Sequence, residues 1–248
     1  MWCVAELDRP YVEKMEDVLA VYEKPYDAAE PVVCVDEKPV SLHADVRPSR
    51  PRAPGKVTKR DNEYKRCGTA NVFCAVEPQA GKHFTWPTPD RSAPEFAKVM
   101  RTLIGSYPRA RTLHLVMDNL NIHGRKSLTD FYGEKQRGDL WSRLTVHYTP
   151  KHGSWLNQAE IEISLYARQC LGKRRIPDFA TLQRESRAWN RHVNRARVKI
   201  NWKFSRSDAR QKFAYDKYTF KRSNAYYQTI TTPVDAPAAL RYKFVASY

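Results

Sequence analysis

The clearest chemical potential in this 248-residue chain lies in acids that close apolar runs. Asp36 ends the run Pro31-Val32-Val33-Cys34-Val35, and Asp118 ends Leu113-His114-Leu115-Val116-Met117. Glu160 stands in a segment of helical periodicity that follows His147-Tyr148-Thr149-Pro150-Lys151-His152-Gly153. A carboxylate at the end of a buried strand loses hydration unless something positive meets it. Hard divalent ions take oxygen ligands and retain water, so a few carboxylates suffice to hold them. Two such ions, about 3.5–4 Å apart, serve phosphodiester hydrolysis and transfer, one activating the nucleophile and one stabilising the leaving oxygen. Spacing alone does not single out this triple, because the chain has 27 acids. Periodicity also leaves Glu160 and Glu162 open, since they flank opposite margins of the apolar face formed by Leu156, Ala159, Ile163, Tyr166, Ala167 and Cys170.

The elements that must position these acids can be read in order. Val12, Met15, Val18, Leu19 and Tyr22 recur at helical spacing, which predicts a lead-in helix over about 11–22. The run from Val32 to Val35 is apolar on both faces, as expected of a central strand covered from both sides. Alternation puts Asp36 on the face of Val32 and Cys34 and turns Glu37 the other way. Strands over 70–76 and 82–86, joined by a turn at 77–81, predict an antiparallel hairpin. A helix capped by Ser92 runs to about Tyr107 with Phe96, Val99, Met100, Leu103 and Ile104 inward. A fourth strand covers 113–117, a short helix 127–132 and a fifth strand 144–148, followed by a helix over 154–170 and another over 178–197. If the first and fourth strands run parallel, Asp36 and Asp118 share the carboxyl edge of the sheet, where open α/β sheets carry their sites.

The formal net charge is +16, with 43 Lys and Arg, 14 Tyr and 6 Trp. Such a balance favours a polyanionic partner, nucleic acid first and an acidic membrane surface second. Residues 41–69 carry Arg47, Arg50, Arg52, Lys56, Lys59 and Arg60 among prolines, which suits either a solvated loop or a clamp on a phosphate backbone. Lys173-Arg174-Arg175, then Arg191 and Arg195 on the last long helix, extend the basic surface. No apolar run approaches the roughly 20 residues of a membrane span, and the first residues lack a signal peptide's pattern, so a cytoplasmic, nucleoid-associated protein is expected. The five cysteines form no CxxC pair and are expected to be reduced.

The order of elements resembles the ribonuclease-H-like fold. Val35-Asp36-Glu37, Met117-Asp118-Asn119 with His123, and Tyr148-Thr149-Pro150 through Trp155-Leu156-Asn157-Gln158-Ala159-Glu160 are similar to the three catalytic blocks of DDE transposases of the mariner superfamily, in its bacterial insertion-sequence branch. The resemblance implies an α/β fold with a mixed five-stranded sheet flanked by helices and basic C-terminal helices. It implies Asp36, Asp118 and Glu160 as catalytic ligands of two divalent ions, Mg2+ or Mn2+, and its Leu-Asn-x-x pattern selects Glu160 over Glu162. Asn119, His123 and Asn157 would stand behind the ligands or near DNA. The implied activity is DNA strand cleavage and transfer at element ends, on double-stranded DNA, by a homodimer assembled on that DNA.

In that frame residues 1–30 are a lead-in, 31–172 the catalytic core, 173–223 a basic helical extension and 224–248 a tail without assigned role. Too few residues precede the first strand to hold the family's helix-turn-helix region, the separation of Asp118 from Glu160 is long, and the tail extends past the expected end, as a truncated, frameshifted or read-through copy would show. The alternatives are a catalytically inactive DNA-binding remnant and another ribonuclease-H-like nuclease, for which a fourth carboxylate near the triad is expected.

Overall fold

The protein is described by a computed structural model that covers residues 7–47, 54 and 61–215, without the side chains of 134–139. The chain divides into two compact units, Met1–Arg206 and Ser207–Tyr248, and in the second the described element is α6 (Arg206–Phe213). Five strands form the sheet of the first unit: β1 (Val32–Asp45), β2 (Tyr64–Glu77), β3 (Lys82–Thr88), β4 (Leu113–Met117) and β5 (Leu144–Tyr148). Their spatial order is β3-β2-β1-β4-β5. β1, β2 and β3 pair antiparallel, whereas β1, β4 and β5 run parallel, so β1 joins the two halves of a mixed sheet.

β1 and β2 are longer than their apolar runs. The stretch expected to be loop from residue 41 belongs to β1 as far as Asp45, and β2 begins at Tyr64 rather than near 70. β1 pairs with β4 only through Cys34, so beyond that point it is bonded on one side, and Pro39 is tolerated there because no partner needs its missing N–H. The register shifts between Ser41 and His43, opposite Gly68, whose φ of +105° favours a residue without a side chain.

One face of the sheet is covered by α2 (Ala93–Gly105), and Phe73, Phe96, Met100, Leu103, Leu115, Met117 and Leu128 form its core. Leu128 comes from α3 (Arg125–Trp141), which is longer than the six-residue helix expected and is interrupted at Gly133, where φ is +77°. On the other side, Val40, Leu42, Val72 and Cys74 pack with Tyr166, Leu182, Trp189 and Val193. The last three belong to α5 (Phe179–Ala196), whose N-cap Asp178 accepts from the Thr181 amide at 2.7 Å.

β3 is an edge strand, and α5 covers it with amide side chains in place of a sixth strand. Asn194 accepts from the His83 amide at 2.9 Å and donates to the His83 carbonyl at 2.7 Å. Asn190 donates to the Thr85 carbonyl at 3.3 Å and accepts from the Thr85 hydroxyl at 3.0 Å.

The lead-in helix is α1 (Arg9–Tyr22), started by Asp8, which accepts from the Tyr11 amide. It is fastened to the parallel half by a line of polar groups. Asp17 meets His147 Nδ1 at 2.8 Å, His147 Nε2 meets His114 Nδ1 at 3.0 Å, and His114 Nε2 meets the Lys24 ammonium at 3.2 Å. Only one proton arrangement satisfies every member with both rings neutral: Lys24 donates to His114, His114 to His147, and His147 to Asp17.

The helix expected over 154–170 is broken into three pieces. Ser154–Leu156 is a single 3-10 turn, α4 spans Ala159–Tyr166, and Ala167–Leu171 closes as a π turn. Asn157 is extended (φ −82°, ψ 107°) between the first two, so the phase read from Leu156 does not carry into α4.

Candidate active site

The pairing of β1 with β4 sets Cys34 beside Val116. Continuing that register by two residues brings Asp36 level with Asp118, just past the end of β4, while β1 runs on to Asp45 paired with β2 alone, so Asp36 stands within its strand and does not end it as the apolar run predicts. Glu160 joins them from the first turn of α4, where the positive end of the helix dipole favours an acid.

Asp36 is held from two sides. Its Oδ1 accepts from the Glu37 amide at 2.8 Å, and its Oδ2 lies 3.3 Å from Asn157 Nδ2. Asn157 is buried, also donates to the Val35 carbonyl at 2.9 Å, and accepts from the Ala159 amide at the start of α4. One side chain therefore ties β1, at Val35 and Asp36, to the helix that carries Glu160. Burial pushes the Asp36 carboxyl up to about 7, opposed by the Glu37 amide and reinforced by Glu160, Glu37 and Asp118. Repulsion among the acids is thus present, but burial is the larger cause of the rise. Glu160 is exposed, and burial of part of its side chain together with Asp118 moves its carboxyl up, with Lys38 opposing.

Asp118 is about one third exposed and is engaged by the buried His123. His123 Nδ1 lies 2.5 Å from Asp118 Oδ1 and 3.1 Å from the Asp118 carbonyl, and Nε2 is hydrogen bonded to Glu37 Oε1. Burial alone would lower the imidazole's affinity for a proton, but the bonds to Asp118 and Glu37 outweigh it and raise the ring to about 10. The Leu120 amide also meets Asp118 Oδ1, at 3.3 Å, on the same side of the carboxylate as His123. Asn119 is exposed.

Glu162, the alternative to Glu160, is fully buried and taken up by a histidine, with Oε2 2.8 Å from His83 Nδ1. His83 Nε2 donates to the Val198 carbonyl at 2.9 Å, so one proton lies between Nδ1 and the carboxylate. Burial moves the Glu162 carboxyl up against the pull of His83. The bond to Glu162 moves His83 up against burial, and both shifts keep that proton in the pair.

The basic residues fall into three groups. Arg50, Arg52, Lys56, Lys59 and Arg60 lie outside the described residues. Arg47 is exposed and lies 3.5 Å from Asp61 and 3.8 Å from Glu63. Arg175 is mostly buried on the β1–β2 hairpin, bonded to Asp45 at 2.7 Å and to the carbonyls of Asp61, Asn62 and Glu63, and Arg174 is bonded to Glu185 and the Cys170 carbonyl. Lys173 is exposed next to them, and Arg191 and Arg195 are exposed on α5, one turn apart.

The donor set of Asp36, Asp118 and Glu160 is all carboxylate oxygen and lacks compensating positive charge on Asp36, which fits a hard divalent cation. Among the described residues no group of three or more His, Cys, Asp or Glu side chains is gathered closely enough to hold a metal ion, so Asp118 or Glu160 must turn inward to complete such a site. The residue that sequence reasoning missed is Glu37, whose signal was an acid adjacent to Asp36 and a histidine five residues after Asp118.

Residues 31–183 match the family described as DDE superfamily endonuclease. Among solved structures, the chain is similar to the Mos1 mariner paired end complex with Mn, at TM-score 0.52 and 14% identity, over 80% of this chain and 61% of that one. The Mos1 transposase paired-end complex with left transposon end follows at TM-score 0.51 and 14% identity, over 80% and 61%. The Mos1 Strand Transfer Complex gives TM-score 0.50 and 14% identity, over 79% and 60%. The chain thus spans about three fifths of the length of these structures. It matches no protein among the curated sequences. The ribonuclease-H-like mixed sheet expected from the sequence is the fold found.

Proposed function

We propose, since the chain belongs to the DDE superfamily of endonucleases, that it acts as the catalytic domain of a DNA transposase. It would cleave DNA strands at the ends of a bacterial insertion sequence and transfer them to target DNA. The observation that carries this reading is the parallel register of β1 and β4, which sets Asp36 level with Asp118, with Glu160 on the first turn of α4 near enough for its charge to act on both. The solved structures of similar fold are transposase complexes with a transposon end or with Mn, which supports DNA as the partner and a divalent cation as the cofactor.

Asp36, Asp118 and Glu160 would hold two ions, Mg2+ or Mn2+. When bound, such ions supply an activated nucleophile and stabilise the charge on the leaving oxygen. The protein's own share is positional. Asn157 orients Asp36, His123 orients Asp118, and the basic residues Arg191 and Arg195 on α5, with Arg47 and Lys173, would lie along the phosphate backbone. A homodimer assembled on DNA and a nucleoid-associated cytoplasmic location complete the proposal.

A fourth carboxylate, Glu37, stands beside Asp36, as a resolvase-like nuclease would require, but it is 4% exposed and given over to His123, which favours the transposase reading. Nicking of supercoiled DNA in Mg2+ or Mn2+ tests the assignment. Wild type should nick, and Asp118→Ala should lose at least ~100-fold in rate, because interactions made at the reacting groups are worth several kcal/mol. Equal nicking by both proteins rejects the catalytic assignment, and no nicking by either favours an inactive DNA-binding remnant.

A further inference from the structure

Glu37 is nearly buried and contributes no ligand to the chemistry proposed above, yet it is bonded to a histidine that is itself bonded to Asp118. Three features fix that histidine. Its ring lies against Phe96 with centroids 4.9 Å apart, its backbone carbonyl accepts from the Tyr148 hydroxyl at 2.7 Å, and its own amide donates to the Leu120 carbonyl at 2.9 Å. Both ring nitrogens are then engaged, Nε2 by Glu37 and Nδ1 by Asp118, so the ring bridges the two side chains.

We infer that Glu37 is a positioning residue, which through the His123 ring sets where the Asp118 carboxylate stands at the end of β4. The inference rests on the metal-dependent reading of the site. Its logic is steric and electrostatic. Asp118 lies beyond the last paired residue of β4, in a segment with no regular structure, where an unsupported side chain would sample several rotamers. Glu37 is on β1, whose backbone is fixed by the β2 ladder, with Glu37 opposite Phe73. The Glu37–His123–Asp118 line therefore transfers the rigidity of β1 to the unpaired end of its neighbour. Asp36 and Glu37, adjacent on one strand but on opposite faces, then serve the same centre: one directly, the other around the carboxyl end of β4.

The test is Mn2+ binding to the whole chain, monitored by calorimetric titration and by the paramagnetic resonance of free Mn2+, with folding checked by circular dichroism. Glu37→Gln keeps the shape and removes the charge, and should weaken Mn2+ binding on the order of 10-fold, the lower end of the range for groups that orient a metal ligand. His123→Gln should do the same, and the double variant should be no weaker than His123→Gln alone, because Glu37 acts only through that ring. A merely structural Glu37 would lower the melting temperature without changing Mn2+ affinity. Unchanged affinity in folded Glu37→Gln, or fully additive losses in the double variant, overturns the positioning role. Absence of binding by wild type overturns the metal-dependent reading and this role with it, which separates the two failures.

Discussion

A buried carboxylate with no cation beside it weakens a fold, and Asp36 places that burden where chemistry is proposed. The unfolded chain ionises this group near pH 4, whereas the folded chain holds the proton to about pH 7. Between those values the folded state binds more protons, so stability falls as pH rises and the loss is complete above about 7. Asp36→Asn should therefore raise the melting temperature of the metal-free protein at pH 8, each 1 kcal/mol relieved being worth ~2–4 °C in a chain of this size. Scanning calorimetry at pH 8 and pH 5 would check it, and the gain should shrink at the lower pH. Glu160 and Glu162 give a second contrast at this scale. Glu162→Ala leaves buried His83 without its partner and should destabilise by about 3–5 kcal/mol. Glu162→Gln can donate its amide to Nδ1 and should lose far less. Glu160→Gln, at an exposed position, should leave the folding stability within about 0.5 kcal/mol of wild type while abolishing nicking. Urea melts of the three variants, with the nicking assay for the last, read out all of these.

Among the elements, α1 is bound to the sheet through charge order as much as through its apolar face. His114 sits between the Lys24 ammonium and His147, with Glu30 at 3.7 Å and Asp17 beyond His147. Burial, Lys24 and His147 together hold His114 below the ordinary histidine range, with Glu30 opposing. A histidine depressed in the folded state contributes stability that is present above its unfolded value of about 6.5 and lost as pH falls from there through the lower folded value. This loss runs against the gain from Asp36 over the same range, so it is read as a difference: on going from pH 7.5 to pH 5.5 the melting temperature of His114→Gln should shift upward relative to that of wild type. Equal changes in the two proteins would assign no part of the effect to His114. What the sequence made legible at this scale follows from physics. Runs apolar on both faces announced β1 and β4, because both faces of those strands are covered. The extension of β1 past Pro39 was hidden, since proline normally ends a strand and only single-sided pairing admits it here. The burial of Glu162 was hidden as well, because its partner His83 lies 79 residues away and periodicity reports a face without reporting what meets it. The break at Asn157 was equally unreadable, as it depends on a bond from that side chain to β1.

At the scale of the molecule, a net charge of +16 and a line of exposed arginines on α5 suit the polyanionic partner proposed above. Removing one Arg–phosphate interaction should lower the slope of log affinity against log salt by roughly 0.9. Arg191→Gln with Arg195→Gln is expected to flatten that slope by up to about 2 for duplex DNA, as fluorescence anisotropy across a salt series would measure. An unchanged slope would remove α5 from the DNA surface.

The amides that α5 lends to β3 have a consequence for how this protein behaves among its own copies. A sheet margin with free N–H and C=O groups recruits any extended chain that drifts past it, and a second molecule offers the same margin in return. Asn190 and Asn194 occupy those groups in two places, so α5 works as a border as well as a basic face. Strand-to-strand growth from one copy to the next is thereby blocked along β3 at these two positions, and a concentrated solution of the folded protein need not end in a fibre.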